Sequence, residues 1–249
     1  MIELIPAEKL DDGFERAKFL VESFIESSNL AFDKHHYQIS IGLSILAYEE
    51  IFKMQMFFMA LQKNEGIKKE DWDSITKGNR QEGKSAHIVK YERSYLDRKK
   101  FIEERGFYEH LATERILKKF DKNWQYQTFN EKTKRDPQAL KRLRAFSKIK
   151  NACFYLDWKD NDWQIFTKVS KLERKALAEL LLWMAEFQYC VTVLDKKNPT
   201  IIDDVNSESF QRYVNDPLFK KQQELQAAIN TPKFMKIRSV ATSILDQYS

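Results

Sequence analysis

The chain has 249 residues, of which 43% are apolar and 13% aromatic, enough to bury a substantial core as one domain or as one domain with a small extension. Its 42 basic and 37 acidic residues leave a net charge of +5, which permits an anionic partner without demonstrating one. Cys153 and Cys190 stand in apolar surroundings without C-x-x-C or metal-ligand spacing, which argues against a disulfide framework and reads as reduced core thiols of an intracellular protein. The first nine residues carry two acids, Glu3 and Glu8, where a secretory signal would carry a basic and then an apolar region, so the expected location is the cytoplasm.

Only six glycines and five prolines occur, several of them between long segments of helical periodicity, and this marks an α-rich protein. Phe14, Ala17, Val21 and Phe24, joined by Leu20, Ile25 and Ala31, recur at spacings of three and four and predict a first helix of roughly six turns that ends near Lys34-His35-His36. From Ile39 to Leu61 the sequence is apolar nearly all round, so the second helix belongs at the centre of a bundle. Glu49, Glu50 and Lys53 at its midpoint argue against a membrane span. A polar stretch from Gln62 to Lys84 leads into a charged helical segment from about Ser85 to Glu104, and a further helix is expected near Glu109 to Phe120. A long polar loop then precedes a helix near Ala139 to Ile149.

Ala152 to Trp158 and Trp163 to Thr167 read as two short aromatic strands around a turn, a small β-hairpin. Ser170 and Glu173 form an S-x-x-E capping box before Leu172, Ala176, Leu180, Trp183 and Phe187, which mark the last long core helix, ending near Asp195. Breaks at Asn-Asp-Pro217 and Thr-Pro232 then separate shorter helices, giving an expected organisation of a helical domain over 1–195 and a C-terminal helical appendage over 196–249.

The segment from Gly78 to Ser85 matches the phosphate-loop pattern G-x-x-x-x-G-K-[ST]. Such a loop needs a buried strand that delivers it to a helix N-terminus, and the residues from Lys68 to Lys77 are polar without a β-branched run. The apolar run ending at Asp157 is the only support for nucleotide binding, and a polar loop entering a helix is the better reading. Neither H-E-x-x-H, the E-x-x-H pair of di-iron bundles nor G-x-S-x-G occurs, so zinc peptidase, di-metal and serine hydrolase chemistries lose their main support. His35 and His36 end a helix, where they complement its dipole.

Glu49, Glu50 and Lys53 are the first strong oddity, because they lie within the most apolar helix. Glu49 and Lys53 have the i, i+4 spacing of an ion pair on a narrow exposed strip. The alternative is that Glu49 or Glu50 holds a basic group from a neighbouring helix or from the active site, since the flanking apolar run leaves little polar surface.

With these elements in order, the chain resembles the AbiV family of bacterial abortive-infection proteins, a branch of the HEPN superfamily. The resemblance rests on SIGLSILAYEEIFK with Ala47, Glu49, Glu50 and Lys53, on HIVK with His87 and Lys90, and on KNACFYLDWKDNDW with Tyr155, Asp157 and Trp163. It covers residues 14 to about 190, outside the C-terminal helices. It implies a mainly all-α fold, a HEPN-like helical bundle that commonly dimerises, here with a small β-hairpin insertion and extra C-terminal helices. Many HEPN proteins are metal-independent ribonucleases whose signature is an Arg, four to six residues, then a His. Arg80 and His87 fit with six intervening residues, and Arg105 and His110 fit with four. The first pair is favoured because His87 also belongs to the H-x-x-K element.

The resemblance thus implies Arg80 and His87 as catalytic residues, with Glu49, Glu50, Lys53, Lys90, Tyr155 and Asp157 supporting them, Lys84 and Lys90 on RNA phosphates, and Arg105 and His110 as the alternative pair. Histidine suits the base that takes a ribose 2′-hydroxyl proton, and arginine suits the charge developing on phosphate, with no metal or other cofactor required. The structural alternative for His87 is a helix-capping histidine. The implied partners are RNA (tRNA, rRNA or mRNA), a second copy of the chain and a phage protein as trigger, with no membrane. The competing class is a non-catalytic module that binds a phage protein.

Overall fold

Leu10, Phe14, Ala17, Val21 and Ile25 recur every three or four residues, and the stripe they form winds the first helix, α1 (Leu10–Asp33), with that face buried. The computed structural model describes residues 3–78, 86, 89–90, 139–154, 157–159, 162–164, 166, 169–197 and 208–248. α1 stops where His35 takes a left-handed conformation (φ 63°) and the His36 amide donates back to the Ala31 carbonyl at 2.8 Å, a six-to-one closure that satisfies a carbonyl of the last turn.

The second helix, α2 (Tyr37–Lys63), returns antiparallel to α1 and is buried on most of its faces, as its nearly continuous apolar sequence predicts. Between the two helices, the buried Ser28 hydroxyl lies 2.9 Å from the Ser40 carbonyl oxygen and 2.8 Å from the Ser44 hydroxyl. Small side chains bring the backbones close there, and each hydroxyl finds a partner where an unpaired one would cost about 1–3 kcal/mol.

The polar stretch after α2 holds more structure than its composition suggests. A short strand, β1 (Glu3–Ile5), pairs antiparallel with β2 (Ile67–Lys68), and α3 (Lys69–Lys77) follows directly. Its Ile75 is fully buried against Phe52 of α2, and Trp72 lies 6.0 Å from Phe57, ring centre to ring centre. Two apolar residues one turn apart suffice to dock this helix, which is why a reading based on polar content passes over it. Of the helical segment expected over 85–104 only 86, 89 and 90 are described, and the helix expected over 109–120 and the polar loop expected over 121–137 lie outside the described residues.

A helix beyond the undescribed stretch, α4 (Ala139–Phe154), runs one turn further than predicted, through residues expected to be strand. Phe146, Ile149 and Cys153 keep its core stripe going, and the Gln38 side-chain amide donates to the carbonyl of Cys153 at 2.9 Å, capping the last turn. The β-hairpin begins only at β3 (Asp157–Lys159), which pairs with β4 (Asp162–Gln164) in the register Trp158 opposite Trp163. The predicted capping box is present: the Glu173 amide donates to the Ser170 hydroxyl at 3.2 Å, and the Ser170 amide to the Glu173 carboxylate at 2.8 Å. It opens α5 (Lys171–Lys197). By length and composition α5 could cross a bilayer, yet Leu177, Leu181, Ala185 and Cys190 bury its apolar face inside the bundle.

Among the described residues that follow are α6 (Glu208–Asn215), α7 (Pro217–Ala228) and α8 (Pro232–Tyr248), separated at the predicted proline breaks. Asp216 caps α7 by accepting from the Leu218 amide at 2.8 Å. Trp183 of α5 holds the C-terminal helices in place: its indole donates to the Leu225 carbonyl at 2.9 Å, while its ring meets Phe234 edge-on at 5.1 Å.

Two apolar clusters share α2 and α5. The N-terminal half of α2 packs with α4 and α8 through Ile41, Ile45, Phe146, Leu177, Phe234 and Ile244, and its C-terminal half packs with α1 through Phe14, Val21, Ile51 and Met54. Glu49 lies between these halves, at the midpoint of the central helix.

Candidate functional site

The midpoint of α2 carries carboxylates where its neighbours are almost all apolar, so each must find a partner or remain costly to bury. Glu49 finds two among the described residues. One carboxylate oxygen receives the Lys150 ammonium of α4 at 2.8 Å, and the other lies 3.9 Å from the ammonium of Lys90. All three side chains are at most 9% exposed, which makes this a sealed ionic cluster rather than a surface pair. Beside the pair, Tyr48 and Phe146 meet edge-on at 5.8 Å and hold α2 against α4.

Glu50 and Lys53 continue the cluster toward solvent. The Lys53 ammonium donates to the Glu50 carboxylate at 2.7 Å, with side chains 22% and 15% exposed. The sequence spacing suggested a Glu49–Lys53 pair at i, i+4, but Lys53 pairs instead with Glu50 at i, i+3, because Glu49 turns inward to α4. The alternative reading, in which one of the two glutamates holds a basic group from a neighbouring helix, describes Glu49.

Lys90 responds to this setting. Its pKa is lowered from the ordinary lysine value, first by burial and then by the nearby Lys53 ammonium, with Glu49 and Glu50 pulling the other way. Next to it, Val89 packs into an apolar pocket made by Phe52 of α2 and Ile75 of α3. The backbone at Ala86, Val89 and Lys90 is helical.

The structure therefore gathers Lys90 around Glu49, Glu50 and Lys53 of α2, and adds Lys150, which sequence reasoning did not single out. A signal for it existed: Lys150 follows Phe146 by four residues and adjoins Ile149, so it stands in the core-facing register of α4. Asp157 opens β3 with its backbone paired to Gln164. Arg80, Lys84, His87, Arg105, His110 and Tyr155 lie outside the described residues, as does the side chain of Asp157.

The phosphate-loop pattern loses its required context here. Helix α3 leads directly into Gly78, whose φ of 81° and ψ of −179° end that helix, and β2 is a two-residue edge paired antiparallel with β1.

The fold and site together define a helical bundle whose central helix carries an A-x-E-E-x-x-K turn with its first glutamate buried, and to which Lys90 of the H-x-x-K element and the helix before a β-hairpin are brought. The family model described as AbiV matches residues 11–185, well over half of the chain, and the chain belongs to that family. It is accordingly an abortive-infection protein of HEPN type. No curated protein matches it, and no solved structure does.

Proposed function

We propose that this protein is a metal-independent ribonuclease that acts in the cytoplasm as a toxin and halts host translation on phage infection. His87 takes the proton of a ribose 2′-hydroxyl, which attacks the adjacent phosphorus, and the 5′-oxygen departs with a proton from solvent. Arg80 stabilises the negative charge that builds on the phosphoryl oxygens, and Lys84 binds a flanking phosphate. The substrate is cellular RNA (tRNA, rRNA or mRNA), the active form is a homodimer that brings two such sets into one cleft, and a phage protein is the trigger.

The observation that carries this reading, beyond AbiV membership, is the anchoring of Val89 and Lys90 on α2. Lys90 ends the H-x-x-K element that begins at His87, and an element held by a buried carboxylate suits a residue whose position must be reproducible. Burial of Lys90 favours an internal anchor over a contact to RNA phosphate. A second reading, a non-catalytic module that binds a phage protein, draws support from Phe19 and Leu30 of α1, which are 68% and 61% exposed.

The test incubates the purified protein, Arg80→Ala and His87→Ala with total bacterial RNA and with tRNA, each with and without EDTA. Cleavage that persists in EDTA and is lost in both variants is the expected result. Cleavage unchanged in both variants would move the chemistry to Arg105 and His110. Its absence in a wild type supplied with its trigger would favour the binding module.

A further inference from the structure

We propose that the outer face of α1 is a self-association surface that takes a second copy of this chain, the two α1 helices lying antiparallel across a two-fold axis. The inference goes beyond the ribonuclease reading and does not depend on it. α1 turns Leu10, Phe14, Ala17, Val21 and Ile25 inward. On the opposite side Arg16, Phe19, Ser23, Glu26, Leu30 and Asp33 alternate at spacings of three and four, the repeat of a helix-pairing seam. Phe19 and Leu30 are largely exposed along it, and Arg16, Glu26 and Asp33 are exposed as well.

The pattern specifies its own complement. When two such helices run antiparallel with the two-fold axis between Phe24 and Ile25, Phe19 of one copy meets Leu30 of the other, Arg16 meets Asp33, and Glu15 meets Lys34. Each contact occurs twice, apolar against apolar and cation against anion. A parallel pairing would set Arg16 against Arg16 and Asp33 against Asp33, which opposes it. A phage protein on this face would not require the two halves of one helix to complement each other, and a second copy does.

The ion pairs set direction more than affinity, because Arg16 already bonds Asp12 at 2.8 Å and Glu15 already bonds Lys196 at 2.8 Å. Affinity comes from the two apolar contacts. They make an interface at the low end of the roughly 1,200 Å² at which stable assemblies begin, so association should fall in the micromolar range. One pair opposes it: the two Glu26 carboxylates belong to residues about 4.5 Å apart along the seam, near the axis. This contact uses α1 alone, and it can form whether or not a cleft pairs the proposed active sites.

The experiment measures self-association of the full-length protein by sedimentation velocity from low to high micromolar concentration. It compares wild type with Phe19→Ser, Arg16→Glu, Asp33→Arg, the double reversal of Arg16 and Asp33, and Glu26→Gln, all at exposed positions whose thermal melts should stay close to wild type. Wild type should show a concentration-dependent step that Phe19→Ser and each single reversal weaken at least about tenfold. The double reversal should restore the step, and Glu26→Gln should tighten it. Arg16 and Asp33 lie about 25 Å apart along one helix, so rescue reports a contact between copies. A wild type without such a step, a step that Phe19→Ser and both reversals leave unchanged, or single reversals that the double reversal fails to rescue would each overturn the proposal. RNA cleavage has no part in this readout, so failure of the ribonuclease reading and failure of the α1 contact are told apart.

Discussion

Glu49 of α2 and Lys150 of α4 meet at 2.8 Å with side chains only 3% and 7% exposed, and their contact joins the central helix to the helix that precedes the β-hairpin. Removing one member of such a pair strands a charge away from water, so the cost depends on what remains. Glu49→Gln leaves Lys90 and Lys150 without their shared counter-ion and should destabilise by about 3–5 kcal/mol. Lys150→Met leaves Glu49 with Lys90 and should cost less. Urea unfolding measures both, and equal or reversed losses would contradict the shared-carboxylate arrangement.

The close approach of Gly42 to Phe154 makes a second, independent expectation. A Cβ at Gly42 would lie 2.4 Å from Cζ of Phe154, so Gly42→Ala must push that ring outward from the end of α4. The ring is 41% exposed and can move, at a cost of about 1–3 kcal/mol that outweighs the roughly 1 kcal/mol gained from alanine in a helix. In a Phe154→Ala background the clash disappears and the same substitution should become stabilising. Thermal melts of the four proteins would show this change of sign.

Both thiols should be silent in the native state. Burial pushes Cys153 up to about 12 and Cys190 up to about 11, so neither supplies much thiolate near neutral pH. A thiol reagent such as Ellman's at pH 8 should report no rapid reaction in the folded protein and two thiols after denaturation. A fast native thiol would show that one of these packing environments opens readily.

Acid should loosen the C-terminal helix. Arg142 of α4 donates to both carboxylate oxygens of Asp246 in α8, at 2.7 and 3.0 Å, and these bonds hold the Asp246 carboxyl below its ordinary value. A carboxylate with a depressed folded pKa contributes stability that is present above the unfolded value of about 3.9 and is lost as pH falls through the folded one. Asp246 is half exposed, so the contribution is at most about 1 kcal/mol. Wild type should therefore lose more stability than Asp246→Asn between about pH 4 and pH 2, read from denaturant midpoints, and parallel curves would contradict the assignment.

Long amphipathic patterns made the bundle legible in the sequence. The stripe of α1, the all-round apolar α2, the Ser170–Glu173 box and the Pro217 and Pro232 breaks each rest on local chemistry that tertiary packing did not override. Helix α3 was hidden because Trp72 and Ile75 are too few to set a period, and the last turn of α4 because an aromatic run satisfies strand and helix patterns alike.

At the site, Glu49 and Glu50 stood out as charges in an apolar helix, but their partners did not. The link from Glu49 to Lys150 spans 101 residues, and no local spacing encodes it. What fixes the choice is rotation about α2: Glu49 faces the interior with Ile45 and Phe52, while Glu50 and Lys53 face its partly open edge.

The measurement closest to the central claim is the chemistry of the RNA ends left by the purified protein in EDTA. Attack by a ribose 2′-hydroxyl with a histidine base and an arginine cation predicts 2′,3′-cyclic phosphates and 5′-hydroxyls, absent when His87→Ala or Arg80→Ala replaces the wild type. Ends bearing 5′-phosphates, or cleavage that stops in EDTA, would contradict it.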